Sequence, residues 1–156
     1  MTDQMWMEQA LALAQDAALE GEIPVGAVVV QNGQVIGRGR NRREQTKNAL
    51  EHAEMLAIAE ACQAVGDWRL NDCTLYVTLE PCPMCAGAAI NARLGRVVYG
   101  VSDAAAGCCG SVLNLNVYPF THAFSVTGGV CEEVCRKLLQ EFFEVRRSVQ
   151  RKRSDV

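Results

Sequence analysis

The feature that most constrains this chain is a pair of short segments, His52-Ala53-Glu54 and Pro81-Cys82-Pro83-Met84-Cys85, each at the start of an apolar stretch with helical period. Behind the first, Met55, Ile58, Ala59 and Cys62 keep helical register up to Gly66. Behind the second, Pro83 is able to open PMCAGAAINA at a first helical position. His52 and Glu54 then fall in the first turn of one helix, while Cys82 and Cys85, three residues apart, can lie on one face of another. A fold that joins this imidazole to these thiols must bring two helix N-termini together.

Taken alone, PCPMC reads equally as a redox pair or as half of a structural zinc site. The imidazole changes the reading. One histidine and two cysteines make a three-ligand set that leaves a fourth position open, the arrangement of a catalytic zinc, and the positive helix ends favour thiolates. Glu54 lies two residues beyond His52 and projects in a different direction around the helix. It is placed to exchange a proton with water instead of joining the metal ligands, and a purely structural zinc would have no use for it. The expected site is therefore His52, Cys82 and Cys85 on one zinc, with Glu54 as the catalytic proton shuttle.

Around these segments the pattern alternates between helix and strand. Trp6, Ala10, Leu13, Ala14 and Ala17 give a first helix over residues 3–20, with Asp3 as its N-cap and Gly21 as its stop. VGAVVVQ, then Asn32-Gly33, then QVIGRGRN reads as a hairpin whose apolar first strand is covered on both faces. A polar loop spans 42–50. Strands follow at 74–80 and 96–101, then a small-residue loop at 102–111, a strand within AFSVTG and a final helix from about Cys131 to Val149. The order fits a three-layer α/β/α architecture with a five-stranded mixed sheet edged by the hairpin.

The 156 residues, 49% hydrophobic and 21% charged, suit a single domain over 1–156, with 150–156 as a flexible tail. No run approaches the roughly 20 apolar residues of a membrane span, and the N-terminus lacks an export signal. A cytoplasmic protein without membrane contact is expected. Eight cysteines are then reduced thiols. Cys62 and Cys73 read as core, Cys108 and Cys109 as part of a small-residue loop, and Cys131 and Cys135 as neighbours on one helix face. Twelve of the fifteen basic residues fall in two groups, from Arg38 to Lys47 and from Arg136 to Arg153, on a chain of net charge −3. Such groups fit a solvated surface or contacts with an acidic polymer.

With these residues in place, the chain resembles the bacterial tRNA-specific adenosine deaminases of the cytidine/deoxycytidylate deaminase superfamily. H-x-E followed by P-C-x-x-C is the signature of zinc-dependent base deaminases. The likeness extends through PVGAVVV (24–30), GRGRNR (37–42), HAEMLAI (52–58), TLYVTLEPCPMCAGA (74–88), RVVYGVSDAAAG (96–107) and FFEVRR (142–147). It implies a cytidine deaminase-like fold, one Zn2+ per subunit, a homodimer, and hydrolysis of the wobble adenosine of a tRNA anticodon stem-loop to inosine. It also implies substrate contacts. Asn41 would bond the flipped nucleotide, Pro24, Val25 and the backbone of Ala53 would line the base pocket, and Asp103 would meet a neighbouring nucleotide. Phe143, Arg146 and Arg147 would stand near the anticodon, and His122 would be a structural or base-contacting residue. Deaminases of free guanine, cytosine or cytidine share the zinc residues and form the main alternative; a non-catalytic zinc module is the remote one.

Overall fold

Alternation along the strands builds the core. In the computed structural model, which describes residues 1–154, the inner strand β1 (Gly26–Gln31) turns Ala27 and Val29 to one face and Val28 and Val30 to the other, and all four are buried. The hairpin turn at Asn32 and Gly33 has positive φ at both residues, 50° and 72°, as an Asn-Gly turn of this kind requires. It leads into β2 (Gln34–Arg40), the edge strand. The sheet order is β2, β1, β3 (Cys73–Leu79), β4 (Arg96–Val101), β5 (Ser125–Thr127). The β1 pairs are antiparallel and the β3–β4 and β4–β5 pairs parallel, so the sheet is mixed, as expected.

Helices cover both faces. On one side α1 (Asp3–Leu19) and α5 (Glu132–Ser154) bury Trp6, Met7, Ala10 and Cys135 against Val28, Tyr76 and Val98. On the other, α3 (Ala53–Val65) and α4 (Pro83–Asn91) bury Ala57, Ala61 and Ala89 against Val29, Leu75 and Val97. Here α3 lies almost flush on the edge strand. A Cβ at Gly37 or Gly39 would run into the carbonyl oxygens of Ala57 and Ala53, so only glycine lets the helix start approach β2 this closely. This close seat sets where His52 and Glu54 stand relative to the sheet.

Several local expectations need correction. The α1 N-cap is Thr2, whose side chain accepts from the Met5 N–H at 3.4 Å. Asp3 serves a longer-range purpose: its carboxylate accepts the Tyr76 hydroxyl at 2.8 Å and both Arg96 Nη atoms at 2.9 and 2.7 Å, tying α1 to β3 and β4. That guanidinium holds the Asp3 carboxyl below its ordinary range. In α3 the buried residues are Ala53, Glu54, Ala57, Ile58 and Ala61, with Ala59 exposed; Ala53, Ala57 and Ala61 lie against Gly37 and Gly39, where the close approach admits only small side chains. The 42–50 segment contains a one-turn helix α2 (Arg43–Thr46). The last helix continues beyond Val149 to Ser154, its final turn carrying Arg151, Lys152 and Arg153 where cations complement the carbonyl end. The expected loose tail is thus helical through residue 154, and its last two residues lie outside the described ones.

Candidate metal centre and active-site cavity

Both helix starts expected at the site are built from local chain chemistry. His52 is the residue capping α3, with extended backbone (φ −76°, ψ 155°), and Cys82 occupies the same place before α4 (φ −73°, ψ 176°), with Pro83 at the first helical position. The sheet brings the two starts together. His52 Nδ1 lies 3.5 Å from Cys82 Sγ and 3.6 Å from Cys85 Sγ, and the three donor atoms fall within 4.8 Å of one another. Tetrahedral zinc, with bonds of about 2.3 Å to sulfur and about 2.0 Å to nitrogen, demands a nitrogen-to-sulfur edge of roughly 3.6 Å. The donor set therefore fits zinc in both chemistry and spacing, and it is the one such three-residue group among the described residues.

The electrostatics agree. Hydrogen bonding from Cys85, assisted by His52, lowers the Cys82 thiol to about 4, while its neighbour and burial push Cys85 up. Hydrogen bonding to Cys82 raises His52 above its ordinary value although burial works against it. Glu54 is buried, at 4% exposure, and burial pushes its carboxyl up to about 7. It lines a cavity of about 160 Å³ together with His52 and Cys82. That volume is smaller than the usual small-molecule pocket and suits one planar base.

The family model described as MafB19-like deaminase matches residues 1–147. The chain belongs to the MafB19-like deaminase family. This deaminase is 49% identical to a tRNA-specific adenosine deaminase of Bacillus subtilis over 142 residues, covering 90% of this chain and 88% of that protein. A structure solved in studies of A-to-I editing by tRNA:A34 deaminases at the wobble position of transfer RNA superimposes with a TM-score of 0.79. It is 38% identical and covers 86% of this chain and 98% of that one. The fold is accordingly the cytidine deaminase-like one. A guanine deaminase from Bacillus subtilis, also 38% identical, gives a TM-score of 0.63 over 65% of this chain and 66% of its own.

The other candidate residues divide by position. Asn41, Val25, Ala53 and Asp103 line the same cavity as Glu54. Asn41 is buried and already engaged: its Oδ1 accepts the Arg43 N–H at 3.2 Å and its Nδ2 donates to the Ile23 carbonyl at 3.2 Å. One lone pair and one N–H are left for a substrate. Pro24 is buried, but Ile23 takes the place at the cavity wall. Phe143 and Arg147 face an adjoining groove of about 820 Å³ that shares Asp103, and Arg146 faces another of about 770 Å³ that shares Asn41. His122 is not brought to the cavity. Its Nε2 lies 2.6 Å from the Leu94 carbonyl, a structural tie between the loop before β5 and the loop before β4.

Sequence reasoning missed two buried carboxylates that set the cavity's rim. Glu22, 1% exposed, accepts the N–H groups of Glu44 and Gln45 at 3.0 and 2.9 Å and pins α2. Glu80, 2% exposed, accepts the N–H groups of Asp103, Cys109 and Ser111 at 3.1, 3.0 and 3.1 Å and the Ser111 hydroxyl, and so pins the 103–111 loop. Burial alone would raise the Glu80 carboxyl, but Ser111 and the three N–H groups outweigh it and hold it below its ordinary value. Its position directly after β3 and before Pro81 was the available signal.

Glu80→Gln puts an NH2 group among donors and leaves buried N–H groups unpaired, at a cost of about 3 kcal/mol. The expected result is a melting temperature lower by roughly 6–12 °C and faster amide exchange through 103–111. Because the folded-state pKa is depressed, the carboxylate's contribution is present above the unfolded value near 4.3 and lost as pH falls through the folded one. The gap between wild type and variant should therefore close below about pH 4, as thermal melts across that range would record.

Proposed function

We propose that this deaminase hydrolyses the wobble adenosine of a tRNA anticodon to inosine, releasing ammonia. The observation that carries the reading is the small cavity itself, where a buried carboxylate shares walls with a zinc-fitting donor set and opens towards two grooves bearing Arg146 and Arg147. The likeness to a tRNA-specific adenosine deaminase over 90% of this chain supports the nucleic-acid substrate.

His52, Cys82 and Cys85 would hold a zinc ion, which would supply the activation of water for attack near neutral pH. Glu54, whose carboxyl lines the cavity, serves as the base that takes a proton from the attacking water when that water adds to carbon 6 of the adenine. The same carboxyl delivers a proton to ring nitrogen 1 and then assists protonation of the departing amine. Its raised pKa suits a group that must both take and give a proton near neutrality. Asn41 and Val25 orient the base and Asp103 meets an adjacent nucleotide, while Phe143, Arg146 and Arg147 engage the anticodon. Extrusion is cheap because the anticodon loop is unpaired.

The deciding experiment incubates the protein with total tRNA and maps inosine. One modified position, lost with chelator and recovered with zinc, is expected; ammonia release from free guanine or nucleoside without tRNA modification would overturn the reading. No helix among the described residues is long and apolar enough to cross a membrane. A homodimer is supported by exposed apolar side chains at Val117, Tyr118 and Phe120.

A further inference from the structure

The cavity beside the metal group holds a base and little more, so the sugar and phosphates of a polynucleotide must lie at its mouth. Among the described residues, Arg43 is the one lysine or arginine lining that cavity, and it also lines the 770 Å³ groove that continues outward past Arg146 and Arg153. It is carried on a fixed turn. Asn41 Oδ1 accepts its backbone N–H, and the buried Glu22 carboxylate accepts the next two. The guanidinium itself is lightly engaged: its acidic neighbour Glu44 stands 3.9 Å away, and both side chains are exposed, which makes a weak pair.

We infer that Arg43 is a specificity-determining residue that selects a nucleotide held in a phosphodiester chain over a free base, by pairing with a phosphate flanking the target nucleotide. The inference rests on the RNA reading above. A planar guanidinium binds two phosphate oxygens at once, and at this junction it meets the backbone of a substrate whose base already fills the cavity. Glu22 is a positioning residue for it. A free base makes no such contact.

The test uses zinc-loaded protein and an anticodon stem-loop in which the phosphate on either side of the target adenosine is replaced, in turn, by a neutral methylphosphonate. Arg43→Ala should lower kcat/KM on the unmodified stem-loop by about tenfold to a hundredfold, mainly through KM. One of the two methylphosphonates should cost the wild type the same factor and cost Arg43→Ala nothing further. Arg43→Lys, which keeps the charge without the fork, should recover part of the loss and guards against misfolding of the alanine variant. Full activity in Arg43→Ala, or losses that multiply for both linkages, would overturn the inference and leave the RNA reading standing. A wild type that does not turn over the unmodified stem-loop would overturn both.

Discussion

Glu54→Gln should leave one zinc per chain and cut turnover of an adenosine-bearing stem-loop by about a hundredfold to ten-thousandfold, the span that a positioned acid-base group contributes. The substitution preserves shape and removes only the capacity to carry a proton. Metal content should hold because the donors are His52, Cys82 and Cys85, and Glu54 is absent from that group. Glu54→Ala should behave alike in turnover and metal. A pH profile separates a proton role from a packing one. Burial raises the carboxyl to about 7, and the deprotonated form must take the first proton, so wild-type kcat/KM should rise with pH towards neutrality. A cation beside the carboxylate lowers its pKa, which puts the rising limb at or below pH 7. In Glu54→Gln that limb should flatten; substantial activity with the limb intact would remove Glu54 from the chemistry.

What was legible beforehand was whatever depends on near neighbours in the chain. Asn32-Gly33 dictates its own turn, and Pro83 and Gly66 mark helix ends whatever surrounds them. The zinc group was legible because few residue types can hold the ion, and because their placement at helix starts already limits how they meet. What could not be read depends on distant partners. Asp3 looked like a local cap until Tyr76 and Arg96 arrived from β3 and β4. Glu22 and Glu80 escaped the sequence reading because the backbone N–H groups they accept lie far along the chain. The grooves were equally hidden: Arg146 and Arg147 sit next to each other in sequence yet face different ones.

Cys82→Ala should abolish both stoichiometric zinc and deaminase activity, with a loss of more than a hundredfold, beyond what removal of even a residue supporting a metal ligand costs. The reason lies in the geometry of the pair. Cys82 stands at the α4 start, its thiol lowered to about 4, and it is the sulfur nearer to His52. Without it, Cys85 and His52 alone span a single edge of the coordination figure, and two donors cannot hold the ion against water. Cys82→Asp, which restores an anionic donor with a harder atom, should recover part of the zinc content and less of the activity. Cys135→Ala offers the contrast. That thiol is buried beside Gly100, raised to about 12 by burial, and lies outside the metal group, so its loss should affect packing and leave zinc stoichiometry unchanged. Zinc measured by elemental analysis on the three purified variants distinguishes these outcomes: a Cys82→Ala protein that retains one ion per chain would dismantle the ligand assignment, and with it the place given to Glu54.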